Sequence, residues 1–224
     1  MKLALLQPTL GINLYDLAVI LQADLIVLQD CEIWSRKGRV HRALIRTPDG
    51  TQYIRLPVRT EDRDQPINRV RIDTNRDWLT PMIRSLRYNY RNSRYFDFYE
   101  PEILSDLQSG QSYTKLLPFV THIRSRLFRY LEFESDAGIQ LASGMENYCS
   151  DPDQLARDLG AETVYQEHDS RHYQRQSTMR REPQFEHPVY KQQFDGFEPW
   201  CSLFDLLFMY GPESFKIIDS LRSS

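Results

Sequence analysis

The chain has 224 residues, 41% hydrophobic and 26% charged, with a formal net charge of −3; these are the proportions of a folded globular protein and argue against extensive disorder. No apolar run approaches the roughly 20 residues that span a bilayer, and Leu3–Leu6 falls short of the about 7–15 apolar residues of a secretory leader, so a cytoplasmic protein is expected. Three cysteines, Cys31, Cys149 and Cys201, are odd in number and far apart, which argues against a disulfide framework and against a cysteine zinc site.

In chain order, Leu3–Leu6 reads as a short buried strand that breaks into a loop at Pro8 and Gly11. Leu14, Leu17, Ala18, Ile20 and Leu21 have helical spacing, with Asn13 placed to cap. Leu25–Leu28 is a second buried strand, ending at Gln29 and Asp30. Strand, helix and strand with short links predict a parallel βαβ unit. Val40–Thr47 and Gln52–Val58 flank Pro48-Asp49-Gly50, the turn chemistry of a β-hairpin. Arg69–Ile72 is a further short strand candidate. Asp77 caps a helix reaching about Tyr90, with Trp78, Met82, Ile83 and Leu86 on its apolar side.

Farther on, Pro101–Leu107 is expected as a short helix and Tyr113–Leu131 as a longer one, with Leu116, Val120, Ile123 and Leu127 on one face. Gly138–Ala142 and Thr163–Tyr165 are strand candidates. Between them, Asp151 or Asp153 caps a helix stopped by Gly160. Residues 166–199 are polar, carry three prolines and have no clear assignment. Ser202–Tyr210 is an apolar last helix closed by Gly211-Pro212. The expected fold is α/β: one domain with a Rossmann-like, mostly parallel sheet, flanking helices and an inserted β-hairpin.

Charge is unevenly distributed. From Arg36 to Arg94 there are 14 arginines and one lysine against six acids, and from Tyr95 to Ser170 five basic residues against 14 acids. Such halves either receive an anionic ligand or pack on each other through ion pairs.

Candidate site residues follow from this layout. Gln7, Pro8 and Asp30 lie at the carboxyl ends of neighbouring strands, where open α/β sheets bind ligands. Asp30 could act as a base or orient a hydroxyl, and Gln7 offers both donors and acceptors; the alternative is turn capping and loop satisfaction. Arg36, Lys37, Arg39, Arg42 and Arg46 follow directly and could clamp phosphate, or form a solvated hairpin face. His41 could donate a proton or stack. Arg84, Arg87, Arg91 and Arg94 make one helical stripe that suits either solvent and acidic partners or, less well, a nucleic-acid backbone. His168 and His172 would share a metal only on a helix, which the local pattern does not support, so no metal site is expected. Ser202 and Asp205 read as a capping box; alternatively Asp205 faces the crevice of Asp30, because an acid inside so apolar a helix needs a partner.

Four blocks, in order, resemble the WbqC-like protein family: the first strand with Gln7-Pro8; Ala23 to Asp30 followed by Arg42 to Gly50; Leu56-Pro57-Val58 with Ile67 to Asp73; and Ser202 to Phe208 with Gly211-Pro212-Glu213. The resemblance implies a single domain and a role in bacterial surface-polysaccharide or O-antigen biosynthesis. It implies a transferase-type enzyme acting on a nucleotide-activated or lipid-linked sugar, with Arg42, in the family's arginine block, as a phosphate ligand. It implies no particular cofactor. The chain departs from the family pattern at Leu6, where the family carries His before Gln-Pro, and at Thr9–Ile12, where an aromatic stretch is usual. It also reads Gln166-Glu167-His168-Asp169-Ser170 where a Ser-Gly turn is usual. The loss of that His leaves open a non-catalytic partner in a polysaccharide assembly complex, and the arginine-rich half leaves open an RNA-binding module.

Overall fold

A computed structural model describes residues 1–222. Its centre is a parallel sheet of β1 (Lys2–Leu6), β2 (Leu25–Leu28), β5 (Gly138–Leu141) and β6 (Thr163–Gln166), in the order β5-β2-β1-β6. β1 pairs with β2 from Leu3↔Leu25 to Leu6↔Leu28, and with β6 from Lys2↔Thr163 to Leu5↔Gln166. A separate hairpin joins β3 (Arg42–Thr47) to β4 (Gly50–Arg55). The mixed α/β class, the parallel sheet and the inserted hairpin are as expected from the sequence.

Alternation along the strands sorts the core. Leu3, Leu5, Val27 and Val164 face Leu155 and Ala156 of α5 (Pro152–Asp158). Ala4, Leu6, Ile26 and Leu28 face the opposite way, toward α1 (Leu14–Gln22) and the larger cluster. Because side chains in a strand point alternately to the two faces, these short apolar runs supply both layers. The larger cluster also takes in α2 (Leu79–Tyr90), α3 (Phe96–Ser109), α4 (Leu116–Tyr130) and α6 (Leu203–Tyr210).

Local chemistry sets several ends. Asn13 and Asp16 form a reciprocal capping box on α1, with both bonds at 3.0 Å. Asp151 caps α5, accepting from the backbone of Asp153 and Gln154. Asp77 accepts the Thr80 N–H at the start of α2.

Four expectations need correction. Arg69–Ile72 is not a strand: residues Ile67–Arg69 form a 3-10 turn, and Arg71 and Ile72 make only isolated bridges. The helix expected over Pro101–Leu107 begins at Phe96. Proline disfavours helix in the residue before it, but burial of Phe96, Tyr99, Ile103 and Leu107 overrides that local bias. Ser202 precedes α6 without a side-chain capping bond, so the capping box with Asp205 is absent. A short helix, α7 (Phe215–Ser220), follows where none was expected. No helix among the described residues is long and apolar enough to cross a membrane.

Candidate ligand-binding site

Strand order selects the place. The chain leaves β1 toward β2 and later returns to β6 on the other side of β1. Between the carboxyl ends of β1 and β6 the direction of winding reverses, which is where open α/β sheets form a ligand crevice. Gln7 extends β1 into this crevice, and Glu167 extends β6.

Glu167 is fully buried. It accepts the Gln7 N–H at 2.7 Å, the Tyr173 hydroxyl at 2.7 Å and Arg39 Nε at 3.2 Å. Arg39 turns its other edge to Asp16 as a fork, at 2.8 and 2.7 Å. Burial works against the Arg39 charge, but the pull of Asp16 and Glu167 overrides it and holds its pKa well above the ordinary value. Burial, then the Glu167 charge, pushes the Tyr173 hydroxyl well above the usual range, so Tyr173 stays a donor. The floor of the crevice is thus a closed network of two carboxylates, one guanidinium and a phenol, and Asp16 belongs to both the α1 cap and this network.

Two cavities open above that floor. One, of about 390 Å³, is lined by Lys37, Arg39, Arg42, Tyr53, His172 and Tyr173, among others. Arg42 donates from Nε to the Gly38 carbonyl at 2.9 Å and from a terminal nitrogen to the Lys37 carbonyl, and its guanidinium lies 4.2 Å over the Tyr53 ring. Among the described residues neither Lys37 nor Arg42 has a carboxylate partner, whereas Arg71, Arg87, Arg94 and Arg126 all do. The second cavity, of about 840 Å³, lies beside Tyr15, Arg180, Glu182 and Phe185. His168, Asp169 and Trp200 line both. The His168 and Trp200 rings are stacked, with centroids 4.1 Å apart and planes 8° from parallel.

The residues singled out from the sequence fall into separate places. Lys37, Arg39 and Arg42 meet at the smaller cavity. Gln7 lies beneath: its carboxamide has no hydrogen-bond partner, and a Cβ at Gly38 would stand 3.0 Å from its Oε1. Pro8 is buried in the adjoining loop. Arg36 is exposed and lines neither cavity. Arg46 is buried, with its guanidinium on the carbonyls of Thr47, Gly50 and Asp195, where it ties the hairpin turn to the 195 loop.

Asp30, His41 and Asp205 line neither cavity. Asp30 is fully buried and accepts the Ser143 N–H at 2.9 Å and its hydroxyl at 2.5 Å, locking the end of β2 to the turn after β5. His41 packs edge-on to Trp34, and burial, reinforced by Arg42 and Arg55, pushes its pKa down to about 4. Asp205 accepts from Tyr90, Tyr190 and Gln192 inside the larger core and shares no partner with Asp30. Burial raises its pKa despite those three donors.

Glu167, Tyr173 and Trp200 went unread in the sequence. Glu167 follows a strand just as Gln7 and Asp30 do, but that β6 neighbours β1 is visible only once the chain is folded. His168 and His172 are not on one helix: His168 lies in the turn after β6, and a 3-10 turn covers Ser170–His172. Among the described residues no three His, Cys, Asp or Glu side chains are grouped to hold a metal ion. In the arginine stripe, Arg87 pairs with Glu100 and Arg94 with Glu213.

Compared with known proteins, the sequence matches the model of the WbqC-like protein family over residues 15–217, a span that begins after Gln7 and Pro8. It is also similar to an uncharacterized protein of Mycobacterium tuberculosis, with 29% identity over 212 residues covering 85% of each chain. No solved structure matches.

Proposed function

The chain belongs to the WbqC-like protein family, whose model it matches from residue 15 to 217, and from that premise and the crevice geometry we propose that it is a transferase-type enzyme acting on a nucleotide-activated or lipid-linked sugar in bacterial surface-polysaccharide biosynthesis. The observation that carries this reading is the pair of cations without carboxylate partners, Lys37 and Arg42, on an aromatic-walled cavity at the reversal point of a parallel sheet. A diphosphate supplies the missing negative charge, and its hydrogen bonds to ionised donors are about twice as strong as neutral ones. Two carbonyls and the Tyr53 ring fix the Arg42 plane, so little ordering remains to oppose binding. His168 and His172 both line this cavity, with ring nitrogens that can donate or accept a hydrogen bond. Asp30 and His41 do not reach it, so proton handling passes from them to these two residues.

A panel of sugar nucleotides tested by thermal shift checks the proposal. At about 100 times its dissociation constant a true ligand stabilises the fold by roughly 2.7 kcal/mol, and Lys37→Ala or Arg42→Ala should reduce that shift. A folded wild-type protein stabilised by no sugar nucleotide, or a shift that survives both substitutions, overturns it.

A further inference from the structure

We propose that the larger cavity, on the far side of the His168–Trp200 stack, is a second binding site whose ligand is an uncharged sugar; the reading above enters only in making that sugar the acceptor. The two cavities differ in electrical character. Around the larger one each guanidinium has its own carboxylate: Arg180 pairs with Glu182 at 2.8 Å and Arg171 with Asp169 at 3.2 Å. A phosphate entering there meets two carboxylates, whereas a neutral ligand meets no net charge. The smaller cavity shares Asp169 but adds Lys37 and Arg42 without such partners, so its lining keeps an excess of positive charge and selects the opposite way.

The walls also suit a carbohydrate. Tyr15 and Phe185 meet edge to face at 5.3 Å, Phe185 lies 6.1 Å from Trp200, and His168 is stacked on Trp200. Aromatic faces accept the C–H face of a sugar ring by apolar contact. Around them stand carboxylates and guanidinium groups, planar groups that bridge adjacent hydroxyls by paired hydrogen bonds. The volume of about 840 Å³ falls within the range of about 300–1,000 Å³ usual for small-molecule sites.

The wall between the cavities is held in unusual backbone geometry. Asp169 has φ +47° and Trp200 φ +70°. For a residue as bulky as Trp this is a true outlier, and such strained conformations cluster at ligand sites. Both residues face both cavities, so ligands in the two would approach each other across His168 and Trp200.

Saturation-transfer NMR on the full chain, with a panel of free, uncharged mono- and disaccharides, tests this. At least one sugar should give signal, unchanged by saturating uridine diphosphate and by Lys37→Ala, and abolished by Glu182→Ala and by Phe185→Ala. The Glu182 side chain is mostly exposed but also accepts the Tyr15 hydroxyl, so the melting curve of Glu182→Ala is recorded beside the sugar signal to separate loss of the site from loss of the fold. Absence of signal from every sugar, displacement by uridine diphosphate, loss in Lys37→Ala, or survival in Glu182→Ala overturns the second site. Failure of the donor reading appears separately, as sugar nucleotides that do not stabilise the fold while the free-sugar signal persists.

Discussion

His41 shows how a side chain can look catalytic in sequence and serve the core instead. It is buried against Trp34 with its Nδ1 unpartnered, and its pKa is pushed down to about 4. In the unfolded chain an imidazole titrates near 6.5. Between these values the unfolded state binds a proton that the folded state refuses, so stability falls as pH drops from 6.5 to 4 and is unaffected above. The loss accumulates to about 3 kcal/mol over that window. Urea unfolding at pH 7 and pH 4 should therefore show a smaller loss for His41→Phe than for the wild type; equal losses would refute the assignment. Asp30 is a related case. Its position after β2 was legible, but the Ser143 bonds that engage both its oxygens come from 113 residues away, and no local pattern announces them.

Elements were legible where the period was strong and local. The runs of β1 and β2, the Asp49-Gly50 hairpin and the Asn13 cap all form near where their sequences place them. Elements set by distant contacts were not. Phe96 to Glu100 becomes helical because Phe96 and Tyr99 reach the core, against the local effect of Pro101. The α1 cap couples an element to the site, since Asp16 both completes the capping box and holds Arg39. Asn13→Ala removes one capping bond and should cost about 0.5–2 kcal/mol. Asp16→Ala also strips the buried Arg39 of its forked partner, and breaking a buried pair costs about 3–5 kcal/mol. Denaturant unfolding of the two variants should rank Asp16→Ala as clearly less stable. Equal destabilisation would mean that the Arg39 network contributes nothing beyond the cap.

Across the whole molecule, part of the uneven charge resolves into ion pairs. Arg71 meets Asp62 within the basic half and Arg126 meets Asp106 within the acidic half, while Arg39–Glu167 and Arg87–Glu100 join the two. Among the cations left without a carboxylate partner, Lys37 and Arg42 are the ones that line the cavity at the β1–β6 crevice. The arginine block was visible in the sequence, but which of its members would be free was not, because Arg46 is bound by the 195 loop and Arg39 by two distant carboxylates. Position 6 behaves similarly. Leu6 is part of the larger core cluster, and the imidazoles that face the site come from residues 168 and 172, after the neighbouring strand and in its turn. The most direct test is a crystal structure with the sugar nucleotide that most raises the melting temperature. The account predicts its diphosphate between Lys37 and Arg42, beside the His168–Trp200 stack. A diphosphate bound elsewhere, beside Asp30 or along the Arg84–Arg94 stripe, would contradict it.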